Sequence, residues 1–229
     1  AATGRTNLHF LHIRKAGGTT IKTVLADQQT LPHHVLHLHP HRVRMADIPD
    51  RHKVMFMVRD PVTRFVSGFN SRLRQGAPAH HVPWTHAEAA AFARFREAEA
   101  LALALDPAHP EHAAALQAMA SISHIRASYW DWFGDESQLA GREDQIFFIG
   151  RIESFAEDFA ALKTALGLPE GLTLPEDAKV TNRSGGGDSS RLSEEAVRLI
   201  RNWYRRDYDF LDYCSAWRAR HGGPVNLDR

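Results

Sequence analysis

Short apolar runs alternate along the chain with longer stretches in which apolar residues recur every three or four positions, the pattern of strands followed by helices. Leu8 to Ile13 reads as the first strand, Val35 to His39 as the second, Val54 to Val58 as the third and Gln145 to Ile149 as the last. The third is apolar throughout, as expected of a strand buried on both faces. Gly17-Gly18 punctuates a turn into a helix running from about Thr19 to Asp27. After the third strand, Asp60 is placed to N-cap a helix and Pro61 suits its first turn, while Val62, Phe65, Val66 and Phe69 form its buried stripe. Ser154 and Glu157 have the spacing of a capping box ahead of a helix bearing Phe155, Phe159, Leu162 and Leu166, which Gly167 and Pro169 end. Ser193 opens one last helix, with Val197, Ile200, Tyr204, Tyr208 and Leu211 inward and Arg198, Arg201 and Arg205 outward. Gln75 to Phe133, alanine-rich and broken at Pro83, Pro107 and Pro110, reads as a helical insertion without a strand. The expectation is an α/β fold with helices on both sides of a mostly parallel sheet and the whole chain forming one domain.

Composition narrows the partners. With 229 residues, 43% hydrophobic and 24% charged, the chain can bury a core and is not disordered or coiled-coil in type. A net charge of +1 gives no general electrostatic reason to bind nucleic acid, so any anion site must be local. Cys214 stands alone, which excludes an intramolecular disulfide and multi-cysteine metal clusters. No apolar run approaches the roughly 20 residues of a membrane span. A cytoplasmic protein is expected, with the opening Ala1-Ala2-Thr3 leaving any upstream targeting segment open. Histidine is the unusual residue: there are 15, and His33, His34, His37, His39 and His41 are clustered.

Two segments carry candidate chemistry. Arg14-Lys15-Ala16-Gly17-Gly18-Thr19-Thr20 lies where a strand hands over to a helix. Glycines there let backbone N–H groups approach an anion, and the helix N-terminus adds unpaired donors and partial positive charge. The same residues also suit a plain tight turn with an exposed lysine. They are not a Walker motif, because the lysine precedes the glycines. In the second segment, Arg59 leaves the third strand at its carboxyl end and Ser67 follows two turns into the next helix. Arg59-Asp60 also reads as a local ion pair.

Taken together, Lys15-Ala16-Gly17-Gly18-Thr19-Thr20 and Val58-Arg59-Asp60-Pro61 through Ser67 resemble the 5′-phosphosulfate and 3′-phosphate motifs of sulfotransferases related to the glycosaminoglycan 2-O-sulfotransferases and to bacterial carbohydrate sulfotransferases. Ile149-Gly150-Arg151-Ile152-Glu153 and Asn182-Arg183-Ser184 are weaker echoes, so the resemblance covers most of the chain outside the insertion. Arg14 and Ala16 depart from the family pattern around the lysine. The resemblance implies a P-loop-like three-layer α/β/α domain over residues 1–229, with the helical insertion at about 75–134. It implies transfer of a sulfuryl group from 3′-phosphoadenosine 5′-phosphosulfate (PAPS) to a hydroxyl of a carbohydrate or other small molecule, without a metal. Lys15, Gly17, Gly18, Thr19 and Thr20 would hold the 5′-phosphosulfate and Arg59 and Ser67 the 3′-phosphate, with Arg14 and Arg183 also among the donor-binding residues. Lys15 would stabilise charge on the leaving oxygen, and a histidine of the Leu36-His37-Leu38-His39-Pro40-His41 run, His39 ahead of His37, would be the base. If the strand continues, His37, His39 and His41 share one face.

Two other readings remain open at this level: a nucleotide kinase using the same phosphate cradle, and a histidine-rich metal-binding module. Trp84, Tyr129, Trp130 and Trp132 read as core residues more readily than as sugar-stacking platforms. Arg72, Arg74 and His80-His81 read as a solvated face more readily than as a site for an acidic acceptor.

Overall fold

The computed structural model describes residues 4–78, 81–175 and 192–221. Its sheet has four parallel strands, β1 (Thr6–Leu11), β2 (His34–Leu38), β3 (Lys53–Val58) and β4 (Ile146–Arg151), in the order β2-β1-β3-β4. The helices are α1 (Gly18–Leu25), α2 (Pro61–Leu73), α3 (His86–Arg94), α4 (Ala98–Leu103), α5 (His112–Ser121), α6 (Trp130–Phe133), α7 (Glu136–Ala140), α8 (Phe155–Leu166), α9 (Glu194–Trp203) and α10 (Arg205–His221). A parallel sheet flanked by helices is the α/β architecture expected. The contacts divide the chain into two compact units. One takes the described residues of Ala1–Arg59, Tyr129–Asn182 and Asp209–Arg229; the other takes those of Asp60–Ser128 and Arg183–Tyr208.

The first unit holds the sheet. β3 is buried from Val54 to Val58, and β1 from Leu8 to Leu11, as central strands require. Phe56 packs its ring 4.5 Å from that of Phe133 on α6 and 6.1 Å from Phe210 on α10. Beside them, buried Arg218 grips both oxygens of Asp158, at 2.8 and 2.9 Å, and also donates to the Ile149 carbonyl at 2.6 Å. This fork ties α8, α10 and β4 together.

The second unit is helical. The α2 stripe of Val62, Phe65, Val66 and Phe69 is buried as its spacing predicts. Arg64 and Arg72 on the same helix are buried too, paired with Asp207 and Glu88. Arg72 therefore belongs to the core of this unit and not to a solvated face: it donates to both Glu88 oxygens and to the carbonyls of Val82 and Pro83. Burial would raise the Glu88 pKa, but the Arg72 guanidinium and the donors of Thr85 and Ser123 hold it down at about 2.

Three local expectations are corrected. The Ser154–Glu157 capping box does not form; the Ser154 hydroxyl donates to Asp158 at 3.0 Å, drawn to the carboxylate that Arg218 holds. The last helix is two helices, because Tyr204 leaves helical geometry (φ −94°, ψ 23°). Its buried hydroxyl donates to the Ile125 carbonyl at 2.5 Å, while Asp207 turns toward Arg64 and Ser128. Finally, β2 stops at Leu38, and Pro40, which lacks an N–H, is followed by a turn that takes His41 away from His37 and His39.

Candidate active site

The chain leaves β1 through His12 and Ile13, turns over Arg14 to Gly17, and begins α1 at Gly18. Lys15 (φ 61°) and Gly17 (φ 71°) both adopt left-handed backbone, which tightens the turn. Gly17 also leaves no room for a side chain, since a Cβ would stand 2.4 Å from Ile152 Cδ1. At Gly18 the obstacle is the buried ring of His12, with Cδ2 only 2.1 Å from where a Cβ would be. Among the described residues no side chain caps α1, and its first turn carries no acid. Its leading N–H groups are therefore not taken up by a capping side chain; Arg14, Lys15 and Thr20 are half-buried and Thr19 is exposed.

The helix after β3 is arranged in the opposite way. The Asp60 carboxylate accepts from Val62 N–H at 2.9 Å and Thr63 N–H at 3.1 Å, so α2 satisfies its own N-terminus. Arg59 is half-buried, and its backbone N–H and carbonyl are both bonded to the Tyr129 hydroxyl. From β1 the chain passes to β2 on one side and, later, β3 pairs on the other. The lysine turn and Arg59 thus leave adjacent strands at the point where strand order reverses, which is where open α/β sheets bind ligands. Ser67 is half-buried on α2, in the second unit. Arg183 lies outside the described residues.

Histidines cluster along β1 and the segments next to it. His9 pairs with His37 across the parallel ladder, and their rings stack at 4.4 Å. His9 Nδ1 is 2.7 Å from His39 Nε2, and His9 Nε2 is 2.8 Å from His52 Nδ1. His37 Nε2 donates to Asn7 Oδ1 at 2.8 Å. His41 instead packs its ring, tilted, 3.8 Å from that of His12 and donates from Nδ1 to the His12 carbonyl. Lys22 of α1 donates to the His39 carbonyl at 3.1 Å, tying the residue after β2 to the helix that follows the lysine turn. Burial, with the nearby charges of His37 and Lys22, lowers the His39 pKa. Burial likewise takes His9 to about 4 and His12 to about 3. These imidazoles are therefore neutral at neutral pH. Among the described residues, no group of three or more His, Cys, Asp or Glu side chains is placed to hold a metal ion.

A family model described as the sulfotransferase family matches residues 2–214. The chain belongs to the sulfotransferase family. A search of curated proteins finds no match. Tyr129, Trp130 and Trp132 are buried, which makes them core residues and not sugar platforms. Sequence reasoning passed over His9, His12 and His52. The signal was present in His9 and His37, which become lateral neighbours once β1 and β2 are paired in parallel, but it needs the strand register to be seen.

Proposed function

We propose that this sulfotransferase takes its sulfuryl group from PAPS and delivers it in line to a hydroxyl of a carbohydrate or other small molecule. The observation that carries this reading is the siting of the lysine turn and Arg59 on adjacent strand ends at the reversal of strand order. Lys15, the α1 N–H groups and the hydroxyls of Thr19 and Thr20 meet the 5′-phosphosulfate, with Arg14 beside them. They stabilise the charge that grows on the bridging oxygen as its bond to sulfur breaks, which lowers the barrier only if the donors are already in place. Arg59 meets the 3′-phosphate, with Ser67 assigned to the same end, and Arg183 to the donor, on the resemblance alone. As the acceptor oxygen bonds to sulfur, its proton passes to His39, a neutral imidazole on the residue after β2 whose carbonyl Lys22 of α1 holds. His37 is the weaker choice, because its Nε2 is held by Asn7 and its ring by His9.

No helix among the described residues is long and apolar enough to cross a membrane. Adenosine 3′,5′-bisphosphate (PAP) should raise the melting temperature without magnesium, and Lys15→Ala should lower turnover on the order of a hundredfold or more. A shift seen with ATP and magnesium but not with PAP overturns the proposal in favour of a kinase.

A further inference from the structure

We propose that His9 and His52 form a proton relay behind His39, carrying the proton of the acceptor hydroxyl from the donor site out to solvent. The inference rests on His39 as the base. The three rings lie nearly parallel, 7° between His9 and His39 and 18° between His9 and His52, with both ring nitrogens of His9 inside the chain of bonds.

A neutral imidazole has one N–H and one lone pair. A ring bonded through both nitrogens to two other imidazoles must therefore donate to one and accept from the other, so the chain has a direction. With His39 Nε2 engaged by His9, Nδ1 is the His39 nitrogen that meets the acceptor. A proton arriving there is matched by one passing from His39 Nε2 to His9 Nδ1, one from His9 Nε2 to His52 Nδ1, and one from His52 Nε2 to water. Each ring ends neutral with its tautomer reversed, and one proton has left the site.

His9 suits the middle place. It is 7% exposed, and burial together with the charges of His37, His39 and His52 keeps its pKa near 4, so it passes a proton without storing one. His37 is held apart from the transfer by its bond to Asn7 and braces the His9 ring from the side. His52 sits half-buried in the turn before β3, where water reaches it. A purely packing role for the stack would need no nitrogen aligned on nitrogen at both ends.

The test compares His52→Ala, His9→Gln and His39→Ala for kcat, donor KM, PAP-induced stabilisation and response to added imidazole. His52→Ala should keep donor KM and the PAP shift and lose kcat about tenfold, less than the 10² to 10⁴ expected of the base itself. Added imidazole should restore the rate, because it can enter the space left at the solvent end. His9→Gln should lose kcat similarly, with its solvent isotope effect altered. His52→Ala with wild-type kcat, or with a loss that imidazole does not restore, overturns the relay. If His39→Ala is slow in the same series, the base assignment survives that result; if it is as fast as wild type, the base assignment fails as well.

Discussion

The Tyr129 hydroxyl accepts from the Arg59 N–H at 2.9 Å and donates to the Arg59 carbonyl, closing both backbone groups of the residue that ends β3. Tyr129 is fully buried, with its ring 4.9 Å from that of Phe210. One aromatic residue far along the chain thus fixes where the Arg59 side chain starts. Tyr129→Phe keeps the ring packing and strips the hydroxyl, leaving a buried donor and acceptor short of a partner at about 1–3 kcal/mol. Calorimetry should show a lower Tm, and titration should show weaker PAP binding in a protein that still folds. Wild-type values for both would mean that Tyr129 does not position Arg59.

Arg59 itself is tested by the choice of nucleotide. Arg59→Ala should lose PAP affinity by about tenfold or more, because a doubly charged phosphate loses its ion partner. Binding of adenosine 5′-monophosphate, which has no 3′-phosphate, should hardly change. An equal loss for both nucleotides would place Arg59 elsewhere.

Much of this was legible in the chain. β3 is apolar from Val54 to Val58, and only a strand buried on both faces uses such a run, so its place and its polar continuation at Arg59-Asp60 followed directly. Asp60 and Ser193 cap their helices as their spacing predicts, because a cap is a contact within three residues. Ser154 failed for the complementary reason: what pulls its hydroxyl away is Asp158, and Asp158 is held by Arg218 from 60 residues further on. The break at Tyr204 has no glycine or proline to announce it and depends on the distant Ile125 carbonyl. Among the histidines, clustering in sequence singles out His33, His34, His37, His39 and His41. The structure sets His39 against His9 and His52, neighbours that only the pairing of three strands brings together.

The acid limb of activity follows from the His39 environment. Burial comes first, with His37 and Lys22 adding to it, and all three push its pKa below the ordinary 6.5. The ring then stays neutral, and able to accept a proton, at pH values where an exposed histidine would be charged. A plot of kcat/KM against pH should fall on the acid side with an apparent pKa under 6.5. A midpoint above 6.5 would show that another group is the base.

Stability should depend on pH through His9. Its pKa is about 4 in the fold against 6.5 ordinarily, so above 6.5 it is neutral in both folded and unfolded states. Between 6.5 and 4 the unfolded chain binds a proton that the fold refuses, and stability falls as pH falls through that window. His12, lowered to about 3, acts with the same sign. Melting curves should show Tm declining from pH 6.5 toward 4, less steeply in His9→Gln. Identical slopes in the two proteins would remove His9 from the linkage.

The contact between Gly18 and His12 makes the sharpest demand on the donor cradle. A methyl group at Gly18 would sit 2.1 Å from His12 Cδ2, and that ring is buried and packed 3.8 Å from the His41 ring, so it has little freedom to withdraw. Gly18→Ala should therefore cost about 1–3 kcal/mol, in spite of the better helix propensity of alanine. It should also weaken PAP binding by shifting the first N–H groups of α1. The cause can be isolated with His12→Ala, which opens the space the methyl group needs. In that background the added cost of Gly18→Ala should largely vanish, leaving a coupling of about 0.5–3 kcal/mol between the two positions in denaturant unfolding. Additive costs would mean that the glycine is required for backbone conformation and not for the approach of the imidazole.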